Sequence, residues 1–319
     1  MRKVIISNGR FELIEAPLPD LCDDEVEIEV KAAGVNFADI KIRKGYEPKP
    51  DIPPPGFGYE VAGIVTRTGR DAHRFAVGDK VFAVSHYGGG YAEHVVMPEF
   101  SVFRLPVHMS FEEGAAFPVA FQTAYHLLKT AAQVQPGNTV LIHAAGGATG
   151  TALVQLAKLF GCRIIALSSS DEKLTRVAAL GADFTLNSTL PNLHERIKQL
   201  SPEGVNVIFD GNAGAHFAQN FEWLAMRGKV VLFGNSAGMP PLFNPYELVY
   251  RSAHLIGFSM RSITAEPELY EQTYQELLLW HKEGKWKAQI GHRFNLADVQ
   301  QAHDLLESRQ SYGKIILIP

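Results

Sequence analysis

Apolar and polar positions follow two different rhythms along this 319-residue chain. Up to about residue 118 the period is two: "EVEIEVKA" alternates charged and apolar residues, and "GYEVAGIV", "GDKVFAV" and "GYAEHVVM" follow between Gly and Pro turn signals. These segments predict a twisted, partly barrel-like β domain over 1–118. From 119 to about 260 the grammar becomes strand, helix, strand, with "TVLIHA", "CRIIALS", "DFTLN", "VNVIFD", "KVVLFG" and "HLIGFS" as six predicted strands. Between the first two, Leu153, Leu156, Ala157 and Phe160 form an apolar stripe at helical spacing, and Gly161 is placed to end that helix. Such alternation predicts an α/β domain built on a doubly wound parallel sheet. Residues 261–319 return to the first domain through the amphipathic "PELYEQTYQELLLWHKEG" and the closing strand "GKIILIP".

Composition narrows the partners. A net charge of -4, with 20% charged residues and no long basic or acidic run, gives no reason to expect nucleic acid or an anionic membrane surface. Small-molecule chemistry is the expectation. No apolar run approaches the ~20 residues of a membrane span, and "MRKVIISNGRFELIE" breaks too early for a signal peptide, so a cytoplasmic location is expected. Cys22 and Cys162 fit reduced thiols better than a disulfide framework.

The candidate chemistry begins at "VLIHAAGGATGTALVQLAK", residues 140–158. Small residues after a strand let the backbone turn tightly and approach a ligand, and the exposed N–H groups of the helix that follows favour an anion. A pyrophosphate is the expected guest, held at Gly146, Gly147, Ala148, Thr149 and Gly150. The glycines of "YGGGYAEHV" precede a strand pattern instead and are read as a turn. "FGNSAG" has the spacing of a nucleophile elbow around Ser236, but Pro240 and Pro241 follow where a helix is required. The competing reading is a ligand-binding loop at the carboxyl end of a sheet strand, which makes Phe233, Gly234 and Asn235 candidate cofactor residues.

The whole pattern resembles the medium-chain dehydrogenase/reductase superfamily, and within it the zinc-free quinone oxidoreductases and their vesicle-amine-transport-protein-like relatives. "AAGVNFADIKIRKG" is similar to the family's Asn-x-x-Asp-x-x-x-Arg-x-Gly signature, "PGFGYEVAGIV" to its Pro-Gly-x-x-x-Glu-x-x-Gly segment, and "QTAYHLL" with "VQPGNTVLIHAAGG" to the lead into its cofactor loop. The family usually reads Ala-Gly-Gly-Val-Gly in that loop; here Ala148 replaces a glycine. The resemblance implies a Rossmann sheet joined to a β-rich GroES-like catalytic domain, and a homodimer.

Zinc-dependent relatives hold their catalytic metal on a Cys, the His of a Gly-His-Glu segment and a second Cys. By the resemblance those places hold Asn36, Tyr59 and Val119, and the four-cysteine lobe of structural zinc is missing, so no metal is expected. Without a Lewis acid to stabilise an alkoxide, acceptors that delocalise negative charge themselves, quinones and enones, become the expected substrates. The end of the second strand carries Ser168 where an NAD enzyme places an acid on the adenosine ribose. Ser168 with Lys173 suits a 2′-phosphate, and the resemblance makes Lys173 its partner, so NADPH is the expected cofactor. Asp171 or Glu172 could serve NAD, but Ser169 and Glu172 have capping-box spacing, which accounts for the acids structurally.

On the acceptor side, Asn36 is a candidate cap for the short helix containing Asp39 and Ile40, and the resemblance also places it in the active site. Tyr46 lies near, one residue before, the place of a tyrosine proton donor in enoyl reductases of the superfamily. Lys41 stands where many quinone reductases have a tyrosine, and Tyr59 occupies a lost zinc-ligand place. The resulting expectation is an NADPH-dependent, zinc-independent reductase of quinones. Its alternatives are an enoyl or enone reductase and, from another class, a non-catalytic NADPH-binding protein.

Overall fold

A computed structural model of the chain describes residues 1–7, 10–45, 56–85 and 88–319. Tertiary contacts divide it into two units, 1–119 with 288–319, and 120–287.

In the first unit, β1 (Arg2–Ser7) and β2 (Arg10–Glu15) form an antiparallel pair. The main sheet contains β3 (Glu25–Val35), β4 (Glu60–Thr68), β5 (Lys80–Val84), β6 (His94–Pro98) and β7 (Val102–Arg104), together with β14 (Ile290–Asn295) and β15 (Lys314–Ile318) from the end of the chain. Its order is β14-β15-β3-β4-β5-β7, and β6 pairs with β3. The predicted alternation of β3 buries Val26, Ile28 and Val30 against Val61, Val81 and Leu317. Glu27 on the other parity is also buried, because Thr66, Arg67 and His94 close over its carboxylate. Burial pushes the Glu27 pKa up, but those three hydrogen bonds outweigh it and hold the carboxyl below its ordinary value.

The second unit is a six-stranded sheet of β8 (Thr139–Ile142), β9 (Arg163–Ser168), β10 (Phe184–Asn187), β11 (Val205–Asp210), β12 (Leu224–Leu232) and β13 (His254–Gly257). All neighbours are parallel and the order is β10-β9-β8-β11-β12-β13, so the chain reverses its direction of travel between β8 and β11. The six predicted strands are all present. The helix Ala148–Leu159 buries Leu153, Leu156 and Ala157 completely. It ends at Gly161, whose φ of 73° lets its N–H reach Lys158 O and the N–H of Cys162 reach Ala157 O.

The return to the first unit comes at Ala288, not near 261 as the sequence rhythm suggests. The helix Pro267–Lys282 is tied into the second unit: Gln122 donates to Tyr270 O, Gln155 bonds both the carbonyl and the N–H of Lys287, and Trp286 packs on Phe121 with ring centroids 4.0 Å apart. Among the described residues no helix is long and apolar enough to cross a membrane. Cys22 is exposed and Cys162 buried, and both are free.

Candidate functional site

In open parallel sheets, ligands sit beyond the carboxyl ends of the strands where the strand order reverses. Here that place lies between β8 and β11, and the predicted glycine loop leaves β8 at it. Ala144 has φ 49°, the helix begins at Ala148 with Gly147 as its N-cap residue, and Gly146 and Gly150 are buried. A Cβ on Gly150 would fall 2.3 Å from Ala144 O and 2.7 Å from Ala145 Cα, so glycine here lets the helix close on its own turn. Among the described residues a Cβ on Gly147 would meet only Ala144 O, at 3.4 Å, leaving room over the helix start. Ala148 and Thr149 are half-buried in the first turn, whose N–H groups have no intrahelical carbonyl to donate to. The twelve-residue helix therefore points unspent donors and the positive end of its dipole at this space.

Lys173 joins the loop from the next crossover. Its Cβ and Cδ lie 3.1 Å from where a Gly146 Cβ would stand. Burial lowers the pKa of its ammonium, and Glu172 opposes the shift. Ser168 is the last residue of β9 and is buried, with its carbonyl accepting from Ser188 N–H at 2.9 Å. The expected capping box of Ser169 and Glu172 does not form. Ser170 is the cap, extended at φ -136°, and accepts Lys173 N–H at 3.4 Å, so a lysine and no acid occupies the third helical position. Asp171 accepts from the Asn187 amide at 2.9 Å, which engages the acid nearest the strand end.

The loops after β11 and β12 are joined to each other. Ser236 and Ala237 donate backbone N–H groups to Gly211 O and Asn212 O, at 3.1 and 2.8 Å. The Phe233 ring covers Gly211, whose Cβ would fall 2.8 Å from it, and a Gly234 Cβ would fall 2.7 Å from Gly211 O. Ser236 donates its hydroxyl to Asn212 at 3.0 Å and no helix starts until Tyr246, so the elbow spacing carries no elbow. Asn235 Oδ1 is buried with no partner among the described residues, an acceptor with capacity to spare. Behind these loops, Asp210 accepts from Asn212 N and Ala213 N and from Asn220, which accepts in turn from His143 Nε2 at 2.8 Å. This network links the ends of β8 and β11.

The first unit gathers a second cluster. Asn36 stands at the N-cap of the helix Phe37–Arg43, but its amide is turned to Glu60 and Lys314. Nδ2 donates to Glu60 Oε1 at 2.9 Å, and Oδ1 accepts from Lys314 Nζ at 2.7 Å. The helix start is held by Asp39 instead, which accepts Asn36 N–H and Gly58 N–H, both at 2.8 Å. Tyr91 adds its hydroxyl to Asp39 at 3.0 Å and meets His303 Nε2 at 3.3 Å. Burial pushes Asp39 up to about 6 against these hydrogen bonds, pushes Tyr91 well up, and takes His303 down to about 3. His303 is thus neutral, and its Nδ1 is buried with no partner among the described residues.

Tyr59 is half-buried between Gly58 and Glu60, both tied to this cluster, and its carbonyl accepts from Ser85 N–H at 2.7 Å. Val119 N–H donates to Glu60 Oε2 at 2.8 Å. Glu60 thus bonds the amide of Asn36 and the backbone of Val119, two of the three places compared with zinc ligands. Tyr46 lies outside the described residues. Glu60, Asp39, Tyr91, Lys314 and His303 were absent from the residues predicted for the site. A lone acid or lysine inside an otherwise apolar strand, as in "GYEVAGIV" and "GKIILIP", was the available signal.

Two family models match, one described as alcohol dehydrogenase GroES-like domain over residues 22–107 and one as zinc-binding dehydrogenase over 148–279. Quinone oxidoreductase-like protein 2 homolog of Nematostella vectensis is 34% identical over 305 residues, 93% of this chain and 82% of the relative. The chain belongs to the quinone oxidoreductase branch of the medium-chain dehydrogenase/reductase superfamily. Human quinone oxidoreductase, another member of that branch, is 31% identical over 96% of this chain and 92% of its own. The structure of the Escherichia coli quinone oxidoreductase complexed with NADPH superposes with a TM-score of 0.92 at 29% identity, covering 100% of this chain and 99% of that one. Membership of this branch accounts for the doubly wound sheet and the GroES-like unit together.

Proposed function

We propose that this chain is an NADPH-dependent quinone reductase. The observation that carries the cofactor choice is Lys173 lying against Gly146 at the phosphate loop, with Ser168 instead of an acid ending β9. Gly146, Gly147, Ala148, Thr149 and Gly150 would hold the pyrophosphate, Ser168 and Lys173 the 2′-phosphate, and Phe233, Gly234 and Asn235 the far side of the dinucleotide. The open space over Gly147 and the spare acceptor capacity of Asn235 Oδ1 fit such a guest. When bound, NADPH supplies a hydride and leaves as NADP⁺, and a quinone that takes the hydride becomes a hydroquinone anion that draws one proton from water. Asn36 and Tyr59 face the acceptor in this reading. The chain's share of the work is orientation and exclusion of water, with no acid–base group required for a quinone.

The test is NADPH oxidation with a panel of quinones and enones, together with nucleotide titrations of Lys173→Ala. A charge-assisted hydrogen bond contributes about 1.5–3 kcal/mol, so this variant should bind NADPH roughly tenfold to a hundredfold more weakly. NADH binding should barely change. Equal losses for both nucleotides would remove Lys173 from 2′-phosphate recognition, and a chain that binds NADPH but reduces no acceptor would be a binding protein.

The same reading includes a homodimer. β13 is an edge strand with Leu255 exposed, and the helix Tyr246–Arg251 just before it exposes Tyr246, Val249 and Tyr250. An unpaired edge flanked by apolar side chains suits pairing with a second copy across a two-fold axis. Light scattering on a sizing column should give twice the chain mass, and Leu255→Lys should give the monomer. The two free cysteines support a reducing compartment, the cytoplasm.

A further inference from the structure

Lys314 and Glu60 form an ion pair almost wholly out of solvent, with side-chain exposures of 2% and 0%. Such pairs add little net stability, because desolvating two charges offsets their attraction. What this pair does is local. Lys314 Nζ donates to Oδ1 of Asn36 at 2.7 Å, Glu60 Oε1 accepts from its Nδ2 at 2.9 Å, and Glu60 Oε2 is held by Val119 N–H at 2.8 Å.

This chemistry settles which way the Asn36 amide points. Reversed, its carbonyl oxygen would face a carboxylate and its NH₂ group an ammonium. In the observed sense one Nδ2 proton is spent on Glu60 and the other has no partner among the described residues, on a side chain that is partly exposed. Asp39 fixes the same residue from its backbone side.

We propose that Lys314, paired with Glu60, is a positioning residue that locks the flip of the Asn36 amide so that it always offers an N–H to the oxygen of the acceptor. This rests on the quinone-reductase reading, in which hydride arrival leaves negative charge on that oxygen. A donor fixed in advance stabilises such charge without reorganising at the moment of reaction. The ammonium on Oδ1 also draws electron density from the amide and strengthens the remaining N–H as a donor.

Lys314→Met alone would strand the Glu60 carboxylate, so the test uses the neutral pair Lys314→Met/Glu60→Met, in the wild-type and in the Asn36→Ala backgrounds. With NADPH and duroquinone, kcat should fall roughly tenfold to a hundredfold in the wild-type background, with NADPH affinity within about twofold. In the Asn36→Ala background the same pair should cost less than about twofold more, since residues acting through one group are not additive. An equal loss in both backgrounds would overturn the proposal.

The second readout needs no turnover. Side-chain amide NMR of the wild type, with Asn36 assigned by its loss in Asn36→Ala, should show one Nδ2 proton protected from solvent exchange and the other shifting when duroquinone is added. Two equally unprotected protons would overturn the proposal even in an active enzyme, and this spectrum decides whether or not the variants fold. A protected Asn36 amide in a chain that reduces no quinone would leave the locked amide standing and sink the functional reading.

Discussion

The side chain of Lys173 lies flat against Gly146, close enough that a Cβ there would come within 3.1 Å of both its Cβ and its Cδ. Two crossovers of the sheet meet at this contact, the one carrying the glycine loop and the one that begins beside the end of β9. Gly146→Val should therefore act through Lys173. The lysine stem is flexible enough to give way, so the fold should survive while NADPH affinity falls about tenfold and NADH affinity changes little, as read by fluorescence titration of both nucleotides. Loss of both affinities together would mean that the backbone of the loop, and not the lysine, had moved.

Gly150 and Gly147 lie three residues apart, yet alanine should affect them in opposite ways. At Gly150 the new methyl would stand 2.3 Å from a carbonyl oxygen of the rigid turn, and overpacking of that kind costs about 1–3 kcal/mol or more. At Gly147 it meets nothing among the described residues closer than 3.4 Å, and φ is -81°. Urea unfolding should show Gly150→Ala clearly destabilised and Gly147→Ala within about 1 kcal/mol of wild type. Gly147→Ala should nonetheless weaken NADPH, because its methyl enters the space assigned to the pyrophosphate. Unchanged binding would move the pyrophosphate elsewhere.

The second unit was the more legible part of the sequence. Its four inner strands are largely buried runs, its edge strands β10 and β13 are short apolar segments, and helices with their own stop signals lie between most of them, so local rhythm is enough to place them. Lys314 shows why the acceptor side was less so. It stands 278 positions from Asn36, and nothing local to "GKIILIP" says that its ammonium is buried against an amide from the first β-rich segment. Asp39 and Tyr91, 52 positions apart, are hidden in the same way. The boundary near 261 failed for a related reason, since an amphipathic helix advertises that it buries a face but not against which unit. The cap at Ser170 moved by one residue from its predicted place because two successive serines offer the same chemistry.

A metal prediction follows from Glu60. Its carboxylate is spent on Asn36 Nδ2, Val119 N–H and Lys314, which neutralises it, so at these places no free carboxylate, thiolate or imidazole is left to ligate a divalent cation. Atomic absorption on the purified protein should find no stoichiometric zinc, and chelators should leave quinone reduction unchanged. One tightly held zinc per chain would contradict the assignment.

The buried carboxyl of Asp39 makes the last prediction, with a definite sign. Burial raises it from 3.8 to about 6, against the hydrogen bonds from Gly58, Asn36 and Tyr91 and the charge of Lys314. Because its folded value lies above its unfolded one, the folded chain holds this proton when the unfolded chain has released it. The group's contribution therefore falls as pH rises from about 3.8 through about 6 and is flat beyond. Between pH 4.5 and 7.5 this amounts to about 2 kcal/mol lost by the wild type. Asp39→Asn removes the titration. It also turns an NH₂ group toward backbone N–H donors, a cost that does not vary with pH. Urea unfolding across this range should show the wild type more stable than Asp39→Asn by a margin that shrinks by about 2 kcal/mol on going from pH 4.5 to 7.5. A margin that stays constant, or grows with pH, would show that Asp39 is ionised throughout in the folded chain and that its hydrogen bonds outweigh its burial.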